Sequence, residues 1–361
     1  MKVSTRFSAV TIVLGAITGT ATAQSNMTIS GIIDTGLMRV NHVGDGTQSN
    51  TFMINGILSA SNVSFQGKED LGNGLSAIYQ LQAGFNPSEG TLLANNQLFS
   101  RNAYVGLNGS FGSLTLGRHW NVNDDFFVAG DGIIKGGYNA GAMFRFSEFD
   151  AVSELYNNTI KYVTPEFGGL QGGLMVGLGE NAGNFSAGSV TNIGLKYARG
   201  PFYIAIGHDR EKDAADVNNT GNLYKLTVVG ASYTIGNTRA RLGFAHSDIG
   251  GPGKFQSIPS LSERKANAWE VGVDYKASRA FTASADFIYR KNTTLSNDTK
   301  VYRLLGLYAL SMRTTLIANI AYLNNSDGAS ETFVNTNSTA AGGGFPNQTQ
   351  TGVALGLRHL F

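Results

Sequence analysis

From Met27 to Phe361 apolar and polar residues alternate with a period of two in run after run. Each run is about ten residues long and is bounded by a glycine-containing turn or a longer polar stretch, the signature of strands with one apolar face. In the third run Leu75, Ala77, Tyr79, Leu81, Ala83 and Phe85 oppose Ser76, Gln80 and Gln82. In the twelfth, Trp269, Val271, Val273 and Tyr275 oppose Glu270, Asp274 and Lys276; in the thirteenth, Phe281, Ala283, Ala285, Phe287 and Tyr289 oppose Thr282, Ser284, Asp286 and Arg290. Sixteen runs are predicted, at 27–40, 60–67, 75–85, 98–108, 113–119, 157–164, 170–179, 189–199, 202–210, 222–234, 239–248, 266–277, 280–290, 300–311, 314–323 and 349–361. The tenth and fourteenth do not reveal their phase. In the last, Val353, Leu355, Leu357, His359 and Phe361 share one face, and an aromatic residue at its end suits an apolar boundary as well as it suits the edge of a soluble sandwich.

The other runs separate those two architectures. Aromatic residues gather at run ends, as in the interface girdles of a membrane barrel, and an even strand number lets the first and last strands pair. The intervals at 68–74, 109–112, 165–169, 200–201, 235–238, 278–279 and 312–313 are short. They alternate with intervals at 41–59, 86–97, 120–156, 180–188, 211–221, 249–265, 291–299 and 324–348 that are mostly longer. Tight periplasmic turns and longer external loops produce that alternation, with both termini at the periplasmic end. The expected fold is therefore all-β, a 16-stranded antiparallel transmembrane β-barrel. About eight strands fill their interior with side chains, so sixteen imply a water-filled lumen.

Composition narrows the compartment. Lys2 and Arg6, the apolar core Ala9–Ile17 and Ala21-Thr22-Ala23 before Gln24 have the layout of a secretory signal over residues 1–23, leaving residues 24–361 as the barrel. That segment holds two cations and no acid, so its removal takes the formal charge from +2 to zero, and no overall basicity points to nucleic acid. There is no cysteine to supply disulfides to an exported chain. Only 14% of residues are charged, and no apolar stretch after residue 23 is long enough for a transmembrane helix.

Several segments then resemble the Gram-negative general porins of the beta-proteobacterial and neisserial type. They are Thr28-Ile29-Ser30-Gly31-Ile32-Ile33-Asp34-Thr35-Gly36-Leu37, Phe65-Gln66-Gly67-Lys68-Glu69-Asp70-Leu71-Gly72-Asn73-Gly74-Leu75, Arg101-Asn102-Ala103-Tyr104-Val105-Gly106-Leu107, Leu114-Thr115-Leu116-Gly117-Arg118, Ile160-Lys161-Tyr162-Val163-Thr164-Pro165-Glu166-Phe167-Gly168-Gly169 and Gly356-Leu357-Arg358-His359-Leu360-Phe361. The resemblance implies a homotrimer in the outer membrane that passes small hydrophilic solutes and inorganic ions, in contact with outer-membrane lipid and lipopolysaccharide. The 86–97 interval is long enough to reach a neighbouring subunit. Pro165–Gly169 is similar to a string in the constriction loop of enterobacterial porins, but here it follows the sixth run and reads as a periplasmic turn.

The interval at about 120–156 is built differently from the rest. It mixes Phe126, Phe127, Val128, Ile133, Ile134, Tyr138, Met143, Phe144, Phe146 and Phe149 with acids, a composition suited to folding inward against the wall rather than into water. It is the expected constriction loop, presenting Asp124, Asp125, Asp131, Glu148 and Asp150 to the channel; a surface loop packed on itself, or a trimer contact, is the alternative. Charges at mid-membrane depth cost about 2–4 kcal/mol when they face lipid, so Lys161, Lys196, Arg239, Arg241, Arg290 and Arg303 should face the lumen with Arg118. Arg101 and Arg118 share parity with apolar neighbours, which asks for a rim position or a bulge. Carboxylates on the loop opposite cations on the wall would set up a transverse field with an anion preference. Phe361 is assigned to membrane assembly.

No catalytic arrangement stands out. The five histidines are dispersed, and HExxH, Gly-x-Ser-x-Gly and P-loop motifs are missing, so no enzyme activity, cofactor or metal is expected. Gly177-Leu178-Gly179-Glu180-Asn181-Ala182-Gly183 misses the dinucleotide spacing by one. A solute-specific channel on the same barrel, an outer-membrane hydrolase and an adhesin are the alternatives to a general pore.

Overall fold

The computed structural model describes residues 26–94, 96–128, 146–215, 221–258, 262–333 and 344–361. The signal segment and Asp131 lie outside these. Strands β1 (Asn26–Val43), β2 (in two pieces, Gln48–Asn55 and Asn62–Gly72), β3 (Leu75–Asn86), β4 (Ala103–Gly109), β5 (Gly112–Trp120), β6 (Leu155–Val163), β7 (Leu170–Gly177) and β8 (Val190–Arg199) form half of one antiparallel sheet. Strands β9 (Phe202–Lys212), β10 (Leu223–Ile235), β11 (Thr238–Ile249), β12 (Arg264–Lys276), β13 (Phe281–Asn292), β14 (Asn297–Ala309), β15 (Thr314–Ser326) and β16 (Thr349–Leu360) complete it. Each strand pairs with its sequence neighbours, and β16 returns to β1 through Leu360–Ile32 to Gly352–Val40, so the sheet is a closed barrel of sixteen strands. A two-residue strand, Thr91–Leu92, belongs to the connection after β3.

The wall follows the alternation. On β12 Trp269, Val271, Val273 and Tyr275 are exposed on the outside while Ala266, Ala268, Glu270 and Asp274 are buried inside. Leu242, Leu304, Ile320, Val353 and Leu355 continue the outer apolar belt on neighbouring strands. Phe361 extends it: its N–H and carbonyl pair with Gly31, and its ring covers the outer face of Gly31, where a Cβ would lie 2.4 Å from the ring.

Physical detail accounts for where the elements differ from the expected runs. The intervals 41–59 and 291–299 are largely strand, connected by turns at 44–47 and 293–296. Strands of 12 or 13 residues outrun the roughly 9–11 needed to cross the hydrocarbon, so their outer ends stand in water and lose the alternation that marks a strand. Between its two pieces β2 is interrupted at 56–61, where the Asp34 carboxylate accepts the N–H groups of Ile57 (2.8 Å), Leu58 (3.0 Å) and Ser59 (3.2 Å). The tenth strand hides its phase because its inward face is apolar too: Tyr224, Leu226 and Val228 face inward and are covered by the connection between β5 and β6.

Candidate functional site: the lumen and its inner loop

The β5–β6 connection enters the barrel along a track of small residues. Gly173 on β7, Gly194 on β8 and Gly207 on β9 are cross-strand neighbours on the inward face. Val122 sits over Gly173 and Gly194, Phe126 over Gly194, and Asn123 with Phe127 over Gly207; a Cβ at these glycines would lie 2.6, 2.8 and 2.0 Å from the nearest of those side chains. No larger residue leaves the backbone of the loop room to approach the wall. Polar contacts fix the seating: Asn192 Oδ1 accepts the Val122 N–H at 2.8 Å, and the Tyr203 hydroxyl donates to the Phe126 carbonyl at 2.5 Å. On the return, a 3-10 turn, Ser147–Val152, buries Phe149, Ala151 and Val152, and Tyr224 donates to the Glu148 carbonyl at 3.0 Å. The described flanks of the loop, 121–128 and 146–154, therefore lie on the inner surface of β5–β11.

Charges beside this loop are paired locally. Lys161 Nζ is 2.6 Å from Asp125, and Lys196 Nζ lies 5.2 Å over the Phe126 ring. Asp124 accepts the Ser153 hydroxyl, and burial pushes its carboxyl up to about 6. Arg101 precedes β4, so strand parity does not govern it; its Nε donates to inward-facing Gln82 at 3.2 Å, and its guanidinium stacks 4.9 Å over Trp120. Arg118 is placed differently. It keeps the outward parity of Leu114 and Leu116 at the rim, donating to the Ser100 carbonyl (3.0 Å) and Asn157 Oδ1 (2.6 Å) beside a bulge in the β5–β6 register.

Further round the wall, on β11–β14, cations and carboxylates are again adjacent rather than segregated. Arg241, Gly272, Asp286 and Arg303 are successive cross-strand partners on β11–β14. The Arg241 guanidinium lies flat over Gly272, where a Cβ would be 2.6 Å from it, and pairs with Glu270 (3.0 Å), Asp274 (3.1 Å) and Asp286. Arg303 closes on the other Asp286 oxygen at 2.6 Å. Arg239 donates to Ser232 at 3.0 Å. The expected division into an acidic loop and an arginine wall is thus replaced, among the described residues, by compensated clusters, because a buried guanidinium without a carboxylate is costly.

Arg290 forms the third cluster, nearer the mouth. It donates to Glu148 of the inner loop (2.7 Å from Nε) and lies 3.2 Å from Glu331 in the β15–β16 connection. One cation thus holds two loops. Burial, followed by repulsion from Glu148, pushes the Glu331 carboxyl up to about 7. Asp150 is fully buried under the loop rather than presented to the lumen. Sequence reasoning missed Glu331 and the glycine track. The only trace of the track is the inward parity of three glycines, which becomes meaningful once the strand register is known. Among the described residues no group of three or more histidines and acids is placed to hold a metal ion.

A closed barrel with an apolar outside, charged groups inside and the described flanks of one loop seated on its inner wall defines the class as a transmembrane channel. Comparison with known proteins agrees. A family model for Gram-negative porins matches residues 9–328, and the chain belongs to that family. An outer membrane porin protein of Bordetella pertussis is 29% identical, over 86% of this chain and 92% of its own. Outer membrane porin protein 32 of Delftia acidovorans is 28% identical over 96% and 97%. Among solved structures, an anion-selective porin from Comamonas acidovorans superposes with a TM-score of 0.77 at 24% identity, covering 94% of this chain and all of that one. A trimer form of OmpT from Vibrio cholerae gives 0.66 at 15% identity, covering 93% of this chain and 99% of its own. The protein is an outer-membrane porin; its relatives are channels rather than enzymes.

Proposed function

We propose that this porin passes small hydrophilic solutes with a preference for anions, and that the β5–β6 loop sets its narrowest section. The observation carrying the proposal is the lining beside the seated loop, where Arg101, Lys161, Lys196 and Arg239 stand with Asp124 and Asp125 while the neighbouring Asp150, Asp209 and Glu211 are buried out of the lumen. The paired clusters at Arg241 and Arg290 contribute little selectivity, since their fields are compensated at contact distance. Field lines focused in a low-dielectric channel make even a small excess of fixed cations effective on passing ions. The Comamonas structure, described as anion-selective, is consistent with this reading.

A homotrimer fits the family and the trimeric neighbour, and an external apolar groove of 770 Å³, lined by Leu37, Met53, Tyr308, Leu316, Leu355 and Leu357, offers an intersubunit surface. Residues 1–23 act as the export signal, and Phe361 contributes to membrane assembly. Reversal potentials in a potassium chloride gradient across planar bilayers test the selectivity. The wild type should favour chloride, and a Lys161→Gln, Lys196→Gln double variant should lose most of that preference; cation preference in the wild type would refute it.

A further inference from the structure

The connection after β11 folds back over the base of the inner loop. Its Gly250 N–H donates to the Leu223 carbonyl at 2.9 Å, its Lys254 N–H donates to Asp213 at 2.8 Å, and its Lys254 carbonyl accepts the Ala214 N–H at 3.0 Å. Pro252, Lys254 and Gln256 stay exposed, whereas Ser257 and Ile258 are buried. Residues 250–258 thus form a strap with a wet outer face and an anchored inner one.

The anchor is a pair of acids on β9. Asp209 and Glu211 stand two residues apart on the inward face, and both are buried. Glu211 accepts the N–H groups of Gln256 and Ser257 and, at 2.6 Å, the Ser257 hydroxyl. Asp209 accepts the Tyr156 hydroxyl at 3.2 Å and the Asn192 side-chain amide at 3.1 Å. Asn192 in turn receives the Val122 N–H where the inner loop enters. Among the described residues neither acid has an ion-pair partner, so these donors do the work of solvation. Removal of the strap would leave Glu211 without three of its donors, beside the acid that steadies the loop.

The strap also reaches the other end of the inner loop. Phe255 packs on Tyr224 at a centroid separation of 6.2 Å, and the Tyr224 hydroxyl holds the Glu148 carbonyl in the returning turn. Gln256 Oε1 accepts the Asn157 N–H at 3.1 Å, next to Tyr156. Entry and exit of the loop are therefore both tied, through one or two buried side chains, to the same short segment.

We propose that this strap controls the seating of the inner loop, so that whatever lifts it from its exposed face loosens the loop inside the channel. The coupling runs through a contiguous set of packed and hydrogen-bonded groups, Glu211, Asp209 and Asn192 on one side and Phe255 and Tyr224 on the other. It rests on the reading that the β5–β6 loop sets the narrowest section.

The test places a cysteine at Val122, which is buried between loop and wall, in the full barrel reconstituted in bilayers. With the native strap the thiol should resist a small water-soluble thiol reagent. With Phe255→Ala and Ser257→Ala added, the reaction should speed up at least about tenfold, the equivalent of one lost hydrogen bond to a charged group, and brief channel closures should become more frequent. Ser257→Ala alone, the milder change, should give a smaller rise in the same direction, and Lys254→Gln on the exposed face should give none. Thr282→Cys, on the inward face of β13, should react at the same rate with either strap. Unchanged protection of Val122→Cys in both strap variants, or an equal rise at Thr282→Cys from general loosening of the barrel, would overturn the proposal. Faster reaction at Val122→Cys with unaltered currents would uphold the strap and refute instead the loop as the narrowest section.

Discussion

Two adjacent glycines on β7 provide a sharp perturbation of the loop seating. Gly173 faces inward beneath Val122, and a Cβ there would lie 2.6 Å from Val122 Cγ1; Gly172 faces outward, and its nearest atom would be 3.6 Å away, an ordinary contact. Carbon atoms settle at about 3.5–4.0 Å, so Gly173→Val must push the loop about 1 Å from the wall. Overpacking of this kind costs roughly 1–3 kcal/mol. Burial of Val122, Phe126 and Phe127 holds the loop with about 1.5–3 kcal/mol each, an upper estimate, so the loop stays docked but displaced toward the axis. Single-channel conductance should fall in Gly173→Val, with a loss of about 1–3 kcal/mol in denaturant unfolding. In Gly172→Val conductance should match the wild type and stability should change by less than about 0.5 kcal/mol. Unchanged conductance in a properly folded Gly173→Val barrel would refute the placement of the loop.

Other consequences follow from the charge clusters. Arg241→Gln strands Glu270, Asp274 and Asp286 around a neutral group; it should destabilise the barrel by about 3–5 kcal/mol in urea titrations and move the reversal potential toward cations. Asp124 has a carboxyl held at about 6 and loses its charge as pH falls through that value, so anion preference should rise between pH 7 and pH 5 and stay flat in Asp124→Asn. Glu331 is raised from an ordinary value of 4.5 to about 7, so docking of its loop on Arg290 is fully favoured below 4.5 and weakens as pH rises through about 7. Conductance should accordingly be lower in acid, with a step near neutrality that Glu331→Gln removes.

Much of the barrel was legible because its two solvents impose opposite demands on alternate residues. Where that demand lapses, so does the signal. Gln48-Ser49-Asn50-Thr51 stands in water beyond the hydrocarbon and reads as loop, while Leu226 and Val228 meet Phe149 and Val152 instead of water and blur the phase of β10. At the site, parity alone suffices to aim Arg241, Glu270 and Asp286 inward. Their mutual pairing depends on the β11–β14 register, which no single strand encodes, and so do the glycine track and the Arg290 bridge between loops distant in sequence.

The central claim is that alternate residues of one closed sheet meet lipid and water, and single cysteines in this cysteine-free chain test it directly. In reconstituted channels an uncharged fluorophore on Val271→Cys or Leu242→Cys should be quenched by a lipid-borne quencher, and the free thiols there should resist a charged, membrane-impermeant thiol reagent. Thr282→Cys, on the inward face, should react with that reagent and show a smaller current step. Reactivity of Val271→Cys with the impermeant reagent, or quenching of Thr282→Cys from the lipid, would contradict the account.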